Sequence, residues 1–131
     1  MQAMTQRARI LVVEDDHELT TILKEIFNEV GYEVVTLNDA RDIVPLVRQI
    51  QPWVVLMDYL LPTTNGGELC RQIKQDKTTQ PVPVIICSGL ASDELPLAEI
   101  GCNGYLPKPF DLDELVRQVE KAMRGHKADL P

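Results

Sequence analysis

The sequence predicts an α/β domain with a five-stranded parallel sheet and helices on both faces. Two observations predict it. Short β-branched apolar runs alternate five times with longer amphipathic stretches, the pattern of strand–helix units. The runs are apolar throughout, as in strands buried on both faces.

The elements follow in order. Arg9 to Val13 is the first strand. From Glu18 to Val30, Leu19, Ile22, Leu23, Ile26, Phe27 and Val30 keep helical spacing. Gly31 closes that helix, since glycine tolerates a left-handed backbone. Tyr32 to Leu37 is the second strand. Asn38 is the expected cap of a helix over Asp39–Ile50, and Pro45 within it predicts a late start or a kink. Pro52 ends it, and Trp53 to Met57 is the third strand. Gly66 to Asp76 reads as a helix with Leu69, Cys70 and Ile73 inward. Val82 to Cys87 is the fourth strand. Asp93 to Ile100, interrupted by Pro96, predicts a short, irregular fourth helix. Gly104 to Leu106 is the fifth strand. Asp111 to Arg124 is a helix with Asp111 and Glu114 as a capping pair and Leu112, Leu115, Val116, Val119 and Met123 as its stripe. Residues 1–8 and 125–131 are expected to be loose ends around a domain at 9–124.

Bulk composition narrows the function classes. The 131 residues suit one domain with a single core. A formal charge of −7 argues against nucleic acid or an anionic membrane as direct partner. The three cysteines, Cys70, Cys87 and Cys102, show no metal spacing and read as free thiols of a reducing compartment. With no apolar run near the roughly 20 residues of a membrane span, the expected location is the cytoplasm.

Ligands of open parallel sheets bind beyond the carboxyl ends of the strands. The residues there are Glu14, Asp15 and Asp16 after the first strand and Asp58 after the third. Ser88 follows the fourth and Lys108 the fifth. Crowded carboxylates repel, and a hard divalent cation relieves this with oxygen ligands; Mg²⁺ suits one or two carboxylates plus waters and phosphate oxygens. A carboxylate beside such a cation is a plausible nucleophile toward phosphorus. Taken singly, each residue also has a plainer reading: Ser88 as a loop hydroxyl, Lys108 as a surface lysine, Tyr105 as a packed edge aromatic, His17 as a helix-start residue.

Four segments together resemble the receiver domain of two-component response regulators. They are ILVVEDD at 10–16, VLMDYLLP at 55–62 with Asn65-Gly66, PVIICSG at 83–89 and GCNGYLPKPF at 101–110. The resemblance covers Arg9 to Arg124. It implies a flavodoxin-like strand order 2-1-3-4-5 and Asp58 as phosphoacceptor. It implies Mg²⁺ held by Asp15 and Asp58, by Glu14 through water and by the Leu60 carbonyl. Lys108 would pair with the phosphoryl group across a cis Lys108–Pro109 peptide, and Ser88 and Tyr105 would be the switch pair. The donor would be a histidine kinase or histidine phosphotransfer protein, and the output a downstream protein or fused domain. Such a protein catalyses only its own phosphorylation and dephosphorylation.

The segment from Ser88 to Tyr105 is about two residues shorter than in that family, which puts an ordinary output surface in question. A phosphatase using an aspartate nucleophile would want an acid two residues later, where this chain has Leu60. A flavin carrier would want a hydroxyl- and glycine-rich first loop, where this chain has three acids. A scaffold that never takes up phosphate is the remaining alternative, disfavoured by the intact set of Glu14, Asp15, Asp58, Ser88 and Lys108.

Overall fold

The computed structural model describes residues 7–128. Five parallel strands pair in the order β2-β1-β3-β4-β5. They are β1 (Arg9–Val13), β2 (Glu33–Leu37), β3 (Val54–Asp58), β4 (Val84–Ser88) and β5 (Gly104–Pro107). The helices are α1 (His17–Val30), α2 (Val44–Ile50), α3 (Gly66–Gln75), α4 (Leu97–Ile100) and α5 (Leu112–Ala128). None of the helices among the described residues is long and apolar enough to cross a membrane.

Strand alternation sorts the core into two layers. Leu11, Val13, Val55, Met57, Val84 and Ile86 pack with α2, α3 and Ile100. Ile10, Val12, Leu56, Ile85, Cys87 and Leu106 pack with Leu23 and Phe27 of α1 and Leu115, Val119 and Met123 of α5. Both faces are thus covered, which explains why the strands carry so few polar residues. Cys70 and Cys87 are free and buried, and burial pushes both thiols up to about 12; they act as small apolar fillers.

Helix α1 starts where a side chain satisfies its first amides: Asp16 Oδ1 accepts from the N–H groups of Glu18 and Leu19 at 3.0 and 3.3 Å. It stops at Gly31, whose φ of 108° lets its N–H turn back to Phe27 and Asn28.

Helix α2 departs from the expected Asp39–Ile50. It begins at Val44 with Pro45 in the first turn, and Asn38 does not cap it. Had it begun at Asp39, Pro45 would sit in the interior and abut the Arg41 carbonyl. A glutamine of α3 serves the start instead. Gln72 Oε1 accepts from the Ile43 N–H at 3.0 Å, and Gln72 Nε2 donates to the Arg41 carbonyl at 2.9 Å.

Strand β4 begins at Val84 rather than Val82, because the Val82 N–H is spent in a turn on Thr79 and Pro83 has none to give. At their other ends β3 and β4 run through Asp58 and Ser88. The fourth helix is a 3-10 turn at Ser92–Glu94 followed by four residues of α4, with Pro96 just before it. Helix α5 continues past Arg124 to Ala128, so residues 125–128 are helical rather than loose. Of the expected capping pair, Asp111 does cap the helix, its Oδ1 accepting from Asp113 N–H at 2.9 Å, while Glu114 pairs with Arg117. At the other end Arg7 donates to the Gly31 and Tyr32 carbonyls at 3.0 and 2.7 Å, and Ala8 accepts from Glu33 N–H at 2.9 Å. The rest of the expected loose ends, residues 1–6 and 129–131, lies outside the described residues.

The outer edge of β5 is poor in donors. Lys108 N–H donates to the Ser88 carbonyl at 2.7 Å, Asn103 N–H donates to the Val84 carbonyl at 2.8 Å, and Pro107 has no N–H to offer.

Tyr32, entering β2, donates its hydroxyl to Glu120 Oε2 of α5 at 2.7 Å. Burial, then the hydrogen bond and charge of Glu120, push the phenol from 10.0 up to about 12. A phenol with a raised folded-state value stabilises the fold below pH 10 and loses that contribution as pH rises through about 12. Urea midpoints of the wild type and Tyr32→Phe should therefore differ below pH 10 and converge toward pH 12. A constant gap would show that the fold does not hold this phenol above its ordinary value.

A carboxylate and lysine cluster at the carboxyl edge of the sheet

Register brings the acids together. Val13 lies beside Met57 and Asp58 beside Cys87, so the next residue of the first chain segment, Glu14, comes level with Asp58. The Glu14 N–H extends the β1–β2 ladder to the Leu37 carbonyl at 2.9 Å, which fixes its main chain. Glu14 and Asp58 are buried and Asp15 is exposed. One oxygen of each carboxylate lies within 4.8 Å of the others. Among the described residues this is the one group of three or more His, Cys, Asp or Glu side chains placed to hold an ion.

Lys108 reaches into the cluster from the end of β5. Its Nζ donates to Glu14 Oε1 at 2.8 Å and sits 3.4 Å from Asp58 Oδ2. The Lys108–Pro109 peptide that carries it is cis. Burial pulls the lysine down, but the Glu14 hydrogen bond and the Asp58 charge outweigh it, so the ammonium is held above the ordinary lysine range. Glu14 is also raised: burial comes first and the Asp58 charge adds to it, with Lys108 opposing. Beneath the carboxylates, Leu19, Leu23, Leu56, Cys87 and Phe110 line a void of about 10 Å³. That is about the room one water needs.

Ser88 ends β4 almost fully buried, at 1% exposure. Its Oγ accepts from the Leu90 N–H at 3.0 Å. Tyr105, half-buried against the α3-side core, donates its hydroxyl to the Leu90 carbonyl. The β3–α3 loop is held just as closely. Tyr59 N–H donates to the Cys87 carbonyl at 2.8 Å, and Gly66 N–H to the Tyr59 carbonyl at 2.7 Å. Leu60 bridges to Asn65, whose Oδ1 accepts from Glu68 N–H at 2.8 Å and so caps α3. The Leu60 side chain is 60% exposed beside this edge. His17 begins α1 and lies outside the ion-binding group.

The donor set fits a hard divalent cation. It is all oxygen, it faces solvent at Asp15 and it is crowded. Lys108 supplies one positive charge against as many as three negative ones. Sequence reasoning brought Glu14, Asp15, Asp58, Ser88 and Lys108 to this edge, and there they stand. It missed the Leu90 N–H, a main-chain donor with no side-chain signature. It also missed the apolar floor from Phe110 and Leu19, whose apolar character does not mark them as part of a site.

Comparison with known proteins gives the same answer. The model of the response regulator receiver domain family matches residues 10–120. Response regulator MprA of Mycolicibacterium vanbaalenii is 32% identical over 121 residues, covering 92% of this chain and 52% of its own. The chain thus spans about half the length of that relative. The receiver domain of sensor histidine kinase PA1611 from Pseudomonas aeruginosa, solved with magnesium coordinated in its active-site cleft, superposes with a TM-score of 0.79. It is 28% identical, covering 90% of this chain and 98% of that one. The signal receiver domain of a histidine kinase from Syntrophus aciditrophicus gives a TM-score of 0.82 at 28% identity, covering 90% and 91%. Sheet order, the acidic cluster with its lysine and the family match agree: the chain belongs to the receiver domains of two-component response regulators.

Proposed function

We propose that Asp58 accepts a phosphoryl group from a phosphohistidine of a kinase or histidine phosphotransfer protein. The observation that carries this reading is the Lys108 ammonium set between Glu14 and Asp58, with Asp15 completing the oxygen trio. A carboxylate oxygen of Asp58 attacks phosphorus, the bond from phosphorus to the donor nitrogen breaks, and the imidazole leaves with the electron pair. Lys108 balances charge on the phosphoryl oxygens, and the Ser88 hydroxyl donates to one of them. Asp15 and Asp58, with Glu14 through water and the Leu60 carbonyl, would hold Mg²⁺, which supplies further charge neutralisation when bound. The chain acts only on itself and turns over no outside substrate. Its unit is residues 9–124, and its product is an aspartyl phosphate read by a downstream protein or fused output domain. A cytoplasmic location belongs to this reading, in keeping with three free thiols.

Incubation with acetyl phosphate and Mg²⁺ followed by intact mass tests it. One added phosphoryl group, mapped to Asp58, is expected; none, or one elsewhere, rejects the assignment.

The positions two beyond Asp58 and Ser88 are Leu60 and Leu90. Neither orients a hydrolytic water, so the aspartyl phosphate should be long-lived. Leu60→Asn or Leu90→Lys is expected to speed its loss by about tenfold, by placing a polar group where water must be held. Unchanged decay in both variants would remove this explanation.

A further inference from the structure

Resting on the phosphoryl chemistry at Asp58, we propose that Phe110 is a positioning residue for the Lys108 ammonium, acting from beneath the carboxylates and through the chain that leaves β5. A lysine ammonium rides on a long flexible stem with no preferred direction of its own. Here its Nζ stands 2.8 Å from Glu14 Oε1 and 3.4 Å from Asp58 Oδ2. Two things can keep it there: the carboxylates it faces and the main chain it grows from. Asp58 is itself the group that reacts, so the constant part of the hold falls to the main chain.

That main chain is fixed on both sides of the lysine. On the strand side, Lys108 N–H donates to the Ser88 carbonyl at 2.7 Å, just past the last β4–β5 pair of Ser88 with Pro107. On the other side Pro109 is exposed and has no N–H to offer. The next residue with a hold is Phe110. It is half-buried and packs on the core layer shared by α1 and α5. Together with Leu19 and Leu23 of α1 it lines the void under Glu14 and Asp58. It also precedes Asp111, the cap of α5, and shares its core layer with Leu115, four residues beyond that cap. An apolar residue before the cap, paired with one in the next turn, fixes the angle at which a chain enters a helix. Phe110 therefore pins the chain two positions after Lys108 and closes the space under the two carboxylates that Lys108 meets. Cut back to alanine, it opens that space and frees the turn, and the ammonium can swing away from Asp58.

Two measurements test the hold, each against Met123→Ala, a truncation in the same core layer toward the far end of α5. In protein without metal or donor, amide exchange of Lys108 should quicken about tenfold in Phe110→Ala and stay at the wild-type rate in Met123→Ala. With acetyl phosphate and Mg²⁺, Phe110→Ala should slow phosphoryl uptake by about tenfold, Phe110→Leu should recover most of the loss and Met123→Ala should show none. In a Lys108→Ala background, followed over longer times, Phe110→Ala should slow uptake no further, because the group being positioned is gone. Equal slowing in both backgrounds, wild-type uptake in Phe110→Ala, or the same effects from Met123→Ala would overturn the proposal. Wild-type protein that takes up no phosphoryl group at all would reject the assignment at Asp58 instead, and the exchange measurement would still decide whether Phe110 holds Lys108.

Discussion

Asp58→Asn is expected to abolish phosphoryl uptake and leave the fold intact. The substitution keeps the shape of the side chain and removes its nucleophilic oxygen, so uptake from acetyl phosphate should fall about a thousandfold or more. Folding should not suffer. Asp58 is one of the charges that raise Glu14, and Lys108 keeps its 2.8 Å contact with Glu14 when Asp58 becomes neutral. The urea midpoint should correspond to a stability within about 1 kcal/mol of wild type, or above it. Intact mass and a denaturant curve on one preparation settle both halves. Uptake at the wild-type rate would mean that another side chain is the acceptor.

Gly66→Ala is expected to have the largest effect on folding of any single methyl added near the site. Its Cβ would stand 2.3 Å from the Asp58 carbonyl oxygen and 2.8 Å from Met57 Cγ. The first of these is main chain of a buried central strand, so nothing nearby can swing aside. Relief requires α3 to move off β3, at a cost of about 3 kcal/mol. The same shift would displace the end of β3, and with it the Asp58 carboxylate. Gly67→Ala is the control. There the added atom meets only side-chain atoms of Asn65, Ile100 and Tyr59, each at 3.0 Å. Those can rotate, and the loss should be visibly smaller. Equal urea midpoints for the two variants would contradict this account of the close approach.

Much of the architecture was readable from single residues whose consequences are local. Gly31 ended α1 because a left-handed backbone depends on one position. The carboxylates were readable because parallel strands of similar length deliver the residues after them to one edge. The start of α2 was not, since it is set by Gln72, which lies 29 residues from Ile43 and meets it only after α3 has packed. Pro45 carried part of that information, by forbidding an early start. The strand-end rule put Lys108 at this edge but not its contact with Glu14, which spans 94 residues. The Leu90 N–H is further from reach still, because no side chain encodes where a loop amide points.

The donor-poor outer side of β5 bears on how the protein behaves when it is abundant. A run of open amides invites neighbouring molecules to add themselves, strand upon strand, into fibrous aggregates. Pro107, and Asn103 folded onto Val84, deny that template on the flank next to the phosphoryl machinery.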